Sequence, residues 1–399
     1  MKVLVINAGS SSIKYQMFSM AGETVLAKGL AERIGEPSGR IVQETSRGKH
    51  SRKLHIRDHA AAFKDIVDNL LSKEHGVLRS IKEIQAVGHR VVHGGEEFTD
   101  SALITEPVLQ AIRVCVPLAP LHNPPNLTGI EAARSLLPAV PQVAVFDTAF
   151  HQTMPRTAFL YALPYELYSR DHIRRYGFHG TSHRYVSERA AAFLRRDPAG
   201  FRCITCHLGN GCSMAAVRGG KSVDTSLGLT PLEGLVMGTR CGDIDPAIIF
   251  HLADVKGLSL ADINVTLNQK SGLLGLSGVS NDMRTVSEAA AKGNDRAALA
   301  IDVFAYRARK YLGAYLAALG GAEAVVFTGG IGENATHVRE KICIGLEALG
   351  IQIDPAANAK VRGREADVST PDSPVRVLVI PTNEELVIAR DTAAIAAKK

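Results

Sequence analysis

Short apolar runs separated by Gly, Ser and Pro fill the first 60 residues of the chain. Apolar runs of this length, with turn residues between them, predict β-strands. The predicted strands lie at about 3–7, 13–18, 23–30, 39–44 and 52–57. A helical spacing of apolar residues follows at 59–72. Strands that come first and helices that come later favour a mixed α/β sheet over the strict alternation of a dinucleotide-binding fold.

Helices and strands alternate along the rest of the chain, and the pattern starts again after about residue 150. Before that point the pattern predicts strands at 85–92 and 143–147, with helices around 107–116 and 125–137. After it, the predicted helices lie near 184–196, 246–254, 260–269, 296–319, 335–348 and 384–396, and the predicted strands at 203–207, 213–218, 324–328 and 375–380.

The two halves open with similar segments, VLVINAGSSSIKYQMF (3–18) and CITCHLGNGCSMAAVR (203–218). Each segment reads as an apolar strand, a turn of Gly and small polar residues, and a second apolar strand. Two such hairpins are what an ancient duplication produces. Two unrelated hairpins remain an alternative at this point, because many α/β proteins contain them.

Composition narrows the class of protein. The 399 residues are 46% hydrophobic and 22% charged, as in a globular protein of two or three domains. Aromatic residues make up 5% and Trp is absent, which argues against an aromatic platform for nucleic acid. A net charge of +6 suits acidic small substrates or nucleic acid. The basic run at 47–59 alternates with apolar residues, so we interpret it as a solvated edge strand and not as a nucleic-acid patch.

Location and redox state follow from two further observations. No uncharged apolar stretch approaches the roughly 18 residues that a membrane helix needs. The chain runs from Met1 straight into a strand pattern without a leader, which predicts a cytoplasmic protein. Cys203 and Cys206 form a CxxC inside an apolar run, and no second CxxC completes a zinc site. The six cysteines are therefore expected to be free thiols in a reducing compartment, most of them buried.

Three glycine-containing turns have the composition of phosphate-binding loops. In 7–14, Gly9 permits close backbone approach, Ser10 to Ser12 add hydroxyl groups, and Lys14 follows on the returning strand. The other two turns are HLGNGCS (207–213) and FTGGIGENA (327–335). The first turn alone is equally consistent with a water-exposed hairpin. Gly330 to Ala335 also fits the GxGxxA dinucleotide fingerprint, although far from an opening βαβ unit.

Charged residues lie at several turns and strand ends. Arg90 lies on a strand and Arg240 in a Gly-rich loop, and two arginines can clamp a transferring phosphoryl group. Asp147 ends an apolar strand, where a carboxylate is costly unless it is paired or metal-bound. Glu384 and Glu385 start the last helix, where they complement its dipole.

The histidines carry less information one by one. His122, His179 and His183 stand in polar motifs, and each alone is more consistent with a structural role than with catalysis. His89 and His93 are four residues apart, but on a strand they do not converge on a metal. We therefore predict no zinc site.

The motifs together resemble the acetate kinase family, in family order over residues 7–392. They are NAGSSSIK, GHRVVHGG, APLHNPPNLTGI, FDTAFHQTMP, RRYGFHGTSHRYV, HLGNGCS, TPLEGLVMGTRCGDIDP, SNDMR, TGGIGEN and PTNEELVIARDT. The resemblance implies an α/β fold of two duplicated ribonuclease H-like (actin-like ATPase) domains with a cleft between them. The implied domains are 1–149 with 382–399, on the carboxylate and metal side, and 150–381, with the nucleotide site and the dimer interface.

The resemblance also implies a reaction and its ligands. ATP would phosphorylate acetate in a reversible, Mg²⁺-dependent in-line transfer that gives acetyl phosphate and ADP, with Mn²⁺ as an alternative metal. Family members are usually homodimers, and neither nucleic acid nor a membrane is an expected partner. The implied metal-binding residues are Asn7, Asp147 and Glu384.

Site residues can be assigned from the same resemblance. Asp147, His179 and Arg240 would be catalytic, and the last of these would also contact substrate. Substrate would contact Arg90, Val92, Leu121, His122, Phe178 and Pro231. ATP would contact Lys14, His207, Leu208, Gly209, Asn210, Gly211, Asp282, Met283, Arg284, Gly330, Ile331, Gly332, Glu333 and Asn334.

Three alternatives stay open on the sequence. A propionate kinase would share the chemistry and have a roomier pocket, and Val92 favours acetate. A non-enzymatic nucleotide switch of the Hsp70 or actin type would need the phosphate loops but not two arginines and a histidine. An NAD enzyme would use Gly330 to Ala335.

Overall fold

The computed structural model describes residues 1–398, which form two compact units. The first unit is Met1–Phe150 together with the segment that begins at Asn383, and the second is His151–Thr382. The bounds expected from the sequence differ from these by one residue at each junction. The functional assignment of each unit stays a prediction.

Fourteen strands are found in the described residues. They are β1 (Lys2–Ala8), β2 (Ser12–Ser19), β3 (Thr24–Glu32), β4 (Arg40–Thr45), β5 (Gly48–Lys53), β6 (Ala86–Val91), β7 (Ala102–Leu103), β8 (Gln142–Phe146), β9 (Arg202–Leu208), β10 (Cys212–Arg218), β11 (Lys221–Thr225), β12 (Ala324–Thr328), β13 (Ala366–Asp367) and β14 (Arg376–Val379).

Fifteen α-helices accompany these strands in residues 1–398. They are α1 (His59–Leu70), α2 (Glu106–Val114), α3 (Asn123–Leu136), α4 (Arg156–Phe159), α5 (Tyr165–Ser169), α6 (Gly180–Phe193), α7 (Ala247–Asp254), α8 (Leu260–Gln269), α9 (Gly272–Ser277), α10 (Met283–Ala291), α11 (Asp295–Leu319), α12 (Gly329–Asn334), α13 (Thr336–Cys343), α14 (Pro355–Ala359) and α15 (Glu384–Ala396).

The two sheets repeat one topology. The first sheet has the order β5-β4-β3-β2-β1-β6-β8-β7, and the second β11-β10-β9-β12-β14-β13. Each sheet begins with a run of antiparallel strands, five in the first sheet and three in the second. Two parallel strands follow, and a two-residue antiparallel strand ends the sheet. Unrelated hairpins would not share this order, so the duplication is real. The prediction of an α/β fold with two ribonuclease H-like domains is confirmed.

Helices cover both faces of the first sheet around its central strand. Residues 3–6 of β1 are buried, as expected for a strand covered on both sides. Helix α1 contributes Phe63 and Ile66 to the core on one face, where they join Met17 of β2. Helix α15, from the end of the chain, packs against β1, β6 and β8. The last helix therefore completes the first sheet.

Three predicted elements are wrong in position, one of which is the helix expected at 184–196, observed as α6 at Gly180–Phe193. The strand expected at 52–57 is β5, Gly48–Lys53, because Gly48 (φ +115°) closes a tight turn and pairing with β4 starts earlier. β5 is an exposed edge strand, in line with the interpretation of the basic run. The helix expected at 335–348 is α13, Thr336–Cys343, and Gly345 (φ +80°) lies just after its end. The loop expected before it contains the short helix α12.

The cysteines and the helices agree with the expected class of protein. All six cysteines are free and five of them are buried, with Cys241 half-buried. The CxxC cysteines, Cys203 and Cys206, lie inside β9, where burial raises the pKa of both thiols. Within residues 1–398, no helix is both long enough and apolar enough to span a membrane.

The packing of α15 on β6 predicts that position 88 does not tolerate a side chain larger than that of glycine. A Cβ atom on Gly88 would lie 2.3 Å from Thr392 Oγ1 and 2.7 Å from Ile388 Cγ2. We expect Gly88→Ala to destabilise the protein by about 1–3 kcal/mol, because strand and helix must separate. Thermal unfolding should show a lower midpoint, and hydrogen exchange should show faster exchange in α15.

Gly313→Ala is the matched control, since a Cβ on this glycine of α11 meets no atom within 4 Å. Alanine in a helix interior is favoured over glycine by roughly 1 kcal/mol, so this variant should be at least as stable as the parent. Unchanged exchange of α15 in Gly88→Ala would contradict the close approach.

Candidate active site

A buried ion pair lies at the carboxyl ends of two parallel strands in the first unit. Arg90 is on β6 and Asp147 directly follows β8. Arg90 Nη2 donates to Asp147 Oδ2 at 2.6 Å, and Arg90 Nε donates to the same oxygen at 3.0 Å. Asp147 is 1% exposed. The carboxylate is therefore paired, as its burial requires.

Glu384 adds a second carboxyl group to this site. The pKa of Glu384 is raised to about 7, mainly by burial and also by Asp147 and Glu385, while the charges of Arg90 and Lys14 act to lower it. Burial alone would lower the pKa of Arg90, but Asp147 and Glu384 raise it overall. The carboxyl groups outnumber the nearby cations here, so the site favours additional positive charge.

The hairpin β1–β2 supplies the remaining polar groups. Asn7 and Lys14 are directly opposite each other across the two antiparallel strands. With Glu385 they line a cavity of about 330 Å³ on this unit. The structure thus places Asn7, Lys14 and the acidic groups at one end of the first sheet.

These residues fit a hard divalent cation. Two carboxyl groups and one amide offer only oxygen ligands, which Mg²⁺ prefers, and Mg²⁺ usually keeps several waters and takes further ligands from phosphate. Asp147, Glu384 and Glu385 outnumber the cations Arg90 and Lys14 at this site, which favours a bound cation. No group of three or more His, Cys, Asp or Glu side chains in residues 1–398 has the arrangement of an all-protein metal site.

The second unit contains a cavity of about 600 Å³ where three predicted loops meet. Gly209 and Asn210 come from the turn after β9, Asp282 to Arg284 from the start of α10, and Gly330, Ile331 and Asn334 from α12. His207, Leu208, Gly211, Gly332 and Glu333 do not line the cavity, and their contact with nucleotide stays a prediction.

Hydrogen bonds hold these loops in place. Asn281 Nδ2 donates to Asn210 Oδ1 at 2.9 Å, which joins two of the loops. Asp282 caps α10 by accepting from the Arg284 amide at 2.9 Å. The bond from the Arg284 side chain, with the amide bond, lowers the pKa of Asp282 to about 2. These bonds fix the loops of the cavity wall relative to one another.

Glu333 of α12 accepts main-chain hydrogen bonds and does not line the cavity. Its Oε1 accepts from the Gly329 amide at 3.0 Å and from the Thr382 amide at 3.2 Å. Gly329 has φ +75°, and a Cβ there would lie 2.8 Å from Leu208 O. Glu333 thus fastens the start of α12 to the end of the second unit.

Sequence reasoning missed six residues that line the cavity. They are Asn281, Ser287, Ala335, Thr336, His337 and Arg362. Asn281 stands inside the SNDMR motif, and three of the others directly follow TGGIGEN, so neighbouring motifs gave a signal. Arg362 lies between α14 and β13, and nothing in the sequence linked it to the loops.

Arg240 and His179 converge beside Gly211 in the second unit. A Cβ on Gly211 would lie 3.2 Å from Arg240 Nη2 and 3.5 Å from His179 Nε2. Arg240 Nη1 donates to Pro231 O at 2.6 Å. Burial lowers the pKa of Arg240, and no ion pair joins it to a carboxylate in the described part of the chain. Its charge is thus available to an anion.

The backbone and ring of His179 are both held. His179 precedes α6 with φ +56°, a left-handed conformation that is uncommon outside glycine. His151 Nε2 lies 3.0 Å from Phe178 O, next to this strained residue. The ring of His179 stacks on His207 with centroids 4.3 Å apart. Its Nδ1 lies 2.8 Å from Ser213 Oγ.

The residues expected around the substrate methyl group differ in burial. Val92 and Phe178 are buried, and Pro231 is half-buried. Leu121 is 69% exposed and His122 is also exposed, because both precede α3 in a surface turn. Leu121 therefore forms no part of a buried apolar wall in this structure. The contact of all five residues with substrate stays a prediction.

Comparison with known proteins identifies the family. The model of the acetokinase family matches residues 2–390. The acetate kinase of Methanosarcina acetivorans is 58% identical over 98% of this chain and 96% of its own. The crystal structure of Porphyromonas gingivalis acetate kinase covers 99% of both chains with a TM-score of 0.95 and 49% identity. A Francisella tularensis propionate kinase structure covers 99% of both chains with a TM-score of 0.92 and 45% identity. The chain belongs to the acetokinase family.

Proposed function

We propose that this protein is an acetate kinase that transfers the γ-phosphoryl group of ATP to acetate and forms acetyl phosphate and ADP reversibly. The observation that carries the proposal is the convergence of Arg240 and His179 beside Gly211. A cation with no carboxylate partner, next to an imidazole and a glycine turn, suits a transferring phosphoryl group. Family membership supports the same reaction.

The chemistry requires little acid–base catalysis. An oxygen of the acetate carboxylate attacks the γ-phosphorus, and the bond from phosphorus to the β–γ bridging oxygen breaks in line. The bridging oxygen leaves with the electron pair as part of ADP. Acetate is already ionised at neutral pH, so no base has to remove a proton. Asp147 is therefore assigned to metal binding and positioning.

The two arginines and His179 are proposed to neutralise the negative charge of the transferring phosphoryl group and of acetate. Arg240 is proposed to contact both acetate and the transferred group, and Arg90 to bind the acetate carboxylate. His179 donates to the phosphoryl oxygens in the transition state, and His122 supports the same site. Guanidinium groups suit this task because they donate two parallel hydrogen bonds to a carboxylate or phosphate.

ATP is assigned to the cavity of the second unit. Its three loops present backbone amides and small polar side chains, and its volume of about 600 Å³ is that of a small-molecule site. Lys14 of the first unit is proposed to meet the phosphates. The reaction requires both sets of groups to act on one phosphoryl group.

Mg²⁺ is the proposed metal, with Mn²⁺ as an alternative, and Asn7, Asp147 and Glu384 are the residues that would hold it. When bound, the ion neutralises phosphate charge and orients the oxygens of ATP. The oxygen donors of Asn7, Asp147 and Glu384 support this assignment.

Acetate is favoured over propionate as substrate. The buried residues Val92 and Phe178, with Pro231, are proposed to enclose a methyl group, and Leu121 to contribute at its rim. One methylene in such a pocket changes binding by only about 1–3 kcal/mol. The similarity to a propionate kinase therefore keeps that substrate as the second candidate.

Assembly and location complete the proposal. Helix α7, the turn after it and the start of α8 expose Phe250, Val255 and Leu260, which supports a homodimer through the second unit. Six free cysteines support a reducing, cytoplasmic location. The expected ligands are ATP and a small carboxylate, and neither nucleic acid nor a membrane is an expected partner.

The reaction can be tested directly. Hydroxylamine traps acyl phosphates, so purified protein with ATP, Mg²⁺ and acetate should yield acetyl hydroxamate. We expect kcat/KM to be higher for acetate than for propionate, and lowest for butyrate. A preference for propionate would move the protein to the second candidate. Nucleotide binding without acyl phosphate would favour a nucleotide switch, and tight NADH binding without ATP binding an NAD enzyme.

Two variants and one control sharpen this test. Arg90→Ala and Arg240→Ala should each lower kcat/KM by about 100-fold or more, because each removes charge from the transferring group or its acceptor. Arg134→Ala, on the exposed side of α3, should leave the rate unchanged. Full activity in both active-site variants would refute the kinase assignment.

The metal assignment predicts a separate effect for Asn7→Ala. Loss of the amide oxygen should raise the Mg²⁺ concentration for half-maximal activity by roughly 10-fold and lower kcat. The thermal midpoint should stay near that of the parent. Ser10→Ala, in the exposed turn of the same hairpin, should change neither quantity. An Asn7→Ala protein that does not fold would show that the turn is structural.

A further inference from the structure

A chain of hydrogen bonds runs behind His179, away from Arg240. Ser213 Oγ lies 2.8 Å from His179 Nδ1 and 2.7 Å from His183 Nε2. His183 Nδ1 lies 2.7 Å from Thr205 Oγ1. Thr205 Oγ1 donates to Ala215 O at 3.4 Å. Ser213, His183 and Thr205 are all fully buried.

The main-chain carbonyl group of Ala215 determines the direction of donation along this series of hydrogen bonds. A carbonyl oxygen can only accept a hydrogen bond, so the hydroxyl proton of Thr205 points to Ala215 O. The oxygen of Thr205 is then the acceptor for His183. His183 Nδ1 must therefore carry a proton.

Burial determines the protonation state of the other ring nitrogen of His183, Nε2. Desolvation lowers the pKa of His183 well below its usual value, and the neighbouring His151 and His207 act in the same direction. The ring is neutral at physiological pH and has one proton, which is on Nδ1. His183 Nε2 is thus an acceptor and takes the single proton of Ser213.

Ser213 has no second proton to give. Its oxygen can only accept from His179, so His179 Nδ1 must be an N–H group. The opposite nitrogen, Nε2, is the one that lies beside Gly211 and Arg240. In a neutral ring with a proton on Nδ1, Nε2 is an acceptor and repels phosphoryl oxygen. Nε2 can donate only when the ring has both protons.

We propose that Ser213 is a positioning residue for phosphoryl transfer, which with His183 and Thr205 fixes Nδ1 of His179 as a donor, so that His179 acts on the transferred group as an imidazolium cation. The catalytic part of this inference rests on the proposed function. The proton stays on His179 throughout the transfer, because acetate and acetyl phosphate differ by no proton at this centre. His179 and Arg240 thus supply two positive charges.

Nuclear magnetic resonance of the full-length protein with ¹⁵N-labelled histidine tests the direction of the chain. The ¹⁵N shifts distinguish protonated from unprotonated ring nitrogens, and the signals missing from His179→Gln identify His179. In the parent protein we expect Nδ1 of His179 to be protonated. A neutral His179 with its proton on Nε2 would overturn the proposal without any further variant.

Thr205→Val reverses the chain without touching Ser213 or His179. Valine has the shape of threonine but no acceptor, so the proton of His183 should move to Nε2 and donate to Ser213. Ser213 then donates to His179 Nδ1, and His179 should become the Nε2–H tautomer. We expect kcat to fall about 10-fold, as when a hydrogen bond to a charged group is lost. KM for ATP and acetate should change by less than about twofold.

Thr225→Val is the matched control. Thr225 is also fully buried in the same sheet, and its hydroxyl donates to a main-chain oxygen, that of Met214, at 3.0 Å. The same atoms change there, so a general packing effect would appear in both variants. We expect parental kcat and parental His179 signals in Thr225→Val.

Ser213→Ala removes the acceptor itself and should lower kcat by at least as much as Thr205→Val. If Ser213→Ala does not fold, Thr205→Val and the parent spectrum decide. Unchanged His179 signals in Thr205→Val, or a reversed tautomer with parental kcat, would overturn the proposal. If the parent makes no acyl phosphate, the proposed function fails, and the spectra still decide the direction of the chain.

Discussion

The buried pair of Arg90 and Asp147 is the constraint on which the first unit depends. A carboxylate at the end of a covered strand is stable only with a partner, and the parallel pairing of β6 and β8 brings that partner alongside. Once the pair is in place, Glu384 adds a further carboxyl group to a site that already holds Asp147. The result is a site that is short of positive charge by construction, which suits a divalent ion.

The second unit contains a site of the opposite character, which is rich in basic side chains and has no carboxylate among the residues that the structure describes. Around Arg240 and His179 the polar partners are carbonyl oxygens, hydroxyl groups and histidine rings, and none of these is a carboxylate. A carboxylate there would bind the arginine and occupy the place of the incoming phosphate. The same topology thus supports an acidic site in one unit and a basic site in the other, and the difference lies in the side chains at the strand ends.

The sequence predicted what depends on local patterns. The hairpin of β1 and β2 follows from apolar runs around Gly9, and the predicted bounds of the last helix, 384–396, are those of α15. Helix α12 was missed because it starts at a glycine with positive φ and is fastened by Glu333 to a residue 49 positions away. Arg362 in the cavity wall and the hydrogen bonds of Ser213 were missed for the same reason. Such contacts exist only after the chain has folded.

The position of α15 has a consequence for how the protein is made. The first 150 residues leave the ribosome long before residues 384–396, so the first sheet is complete in its strands while one face has no cover. During that interval the face of β6 around Gly88, on which α15 later packs, is open to solvent and to other polypeptide chains. Domains usually fold as units in the order of synthesis, but here the unit translated first must wait for the last helix. A chain that lacks the last dozen residues would therefore leave the first unit, which is translated first, without the helix that covers one face of its sheet.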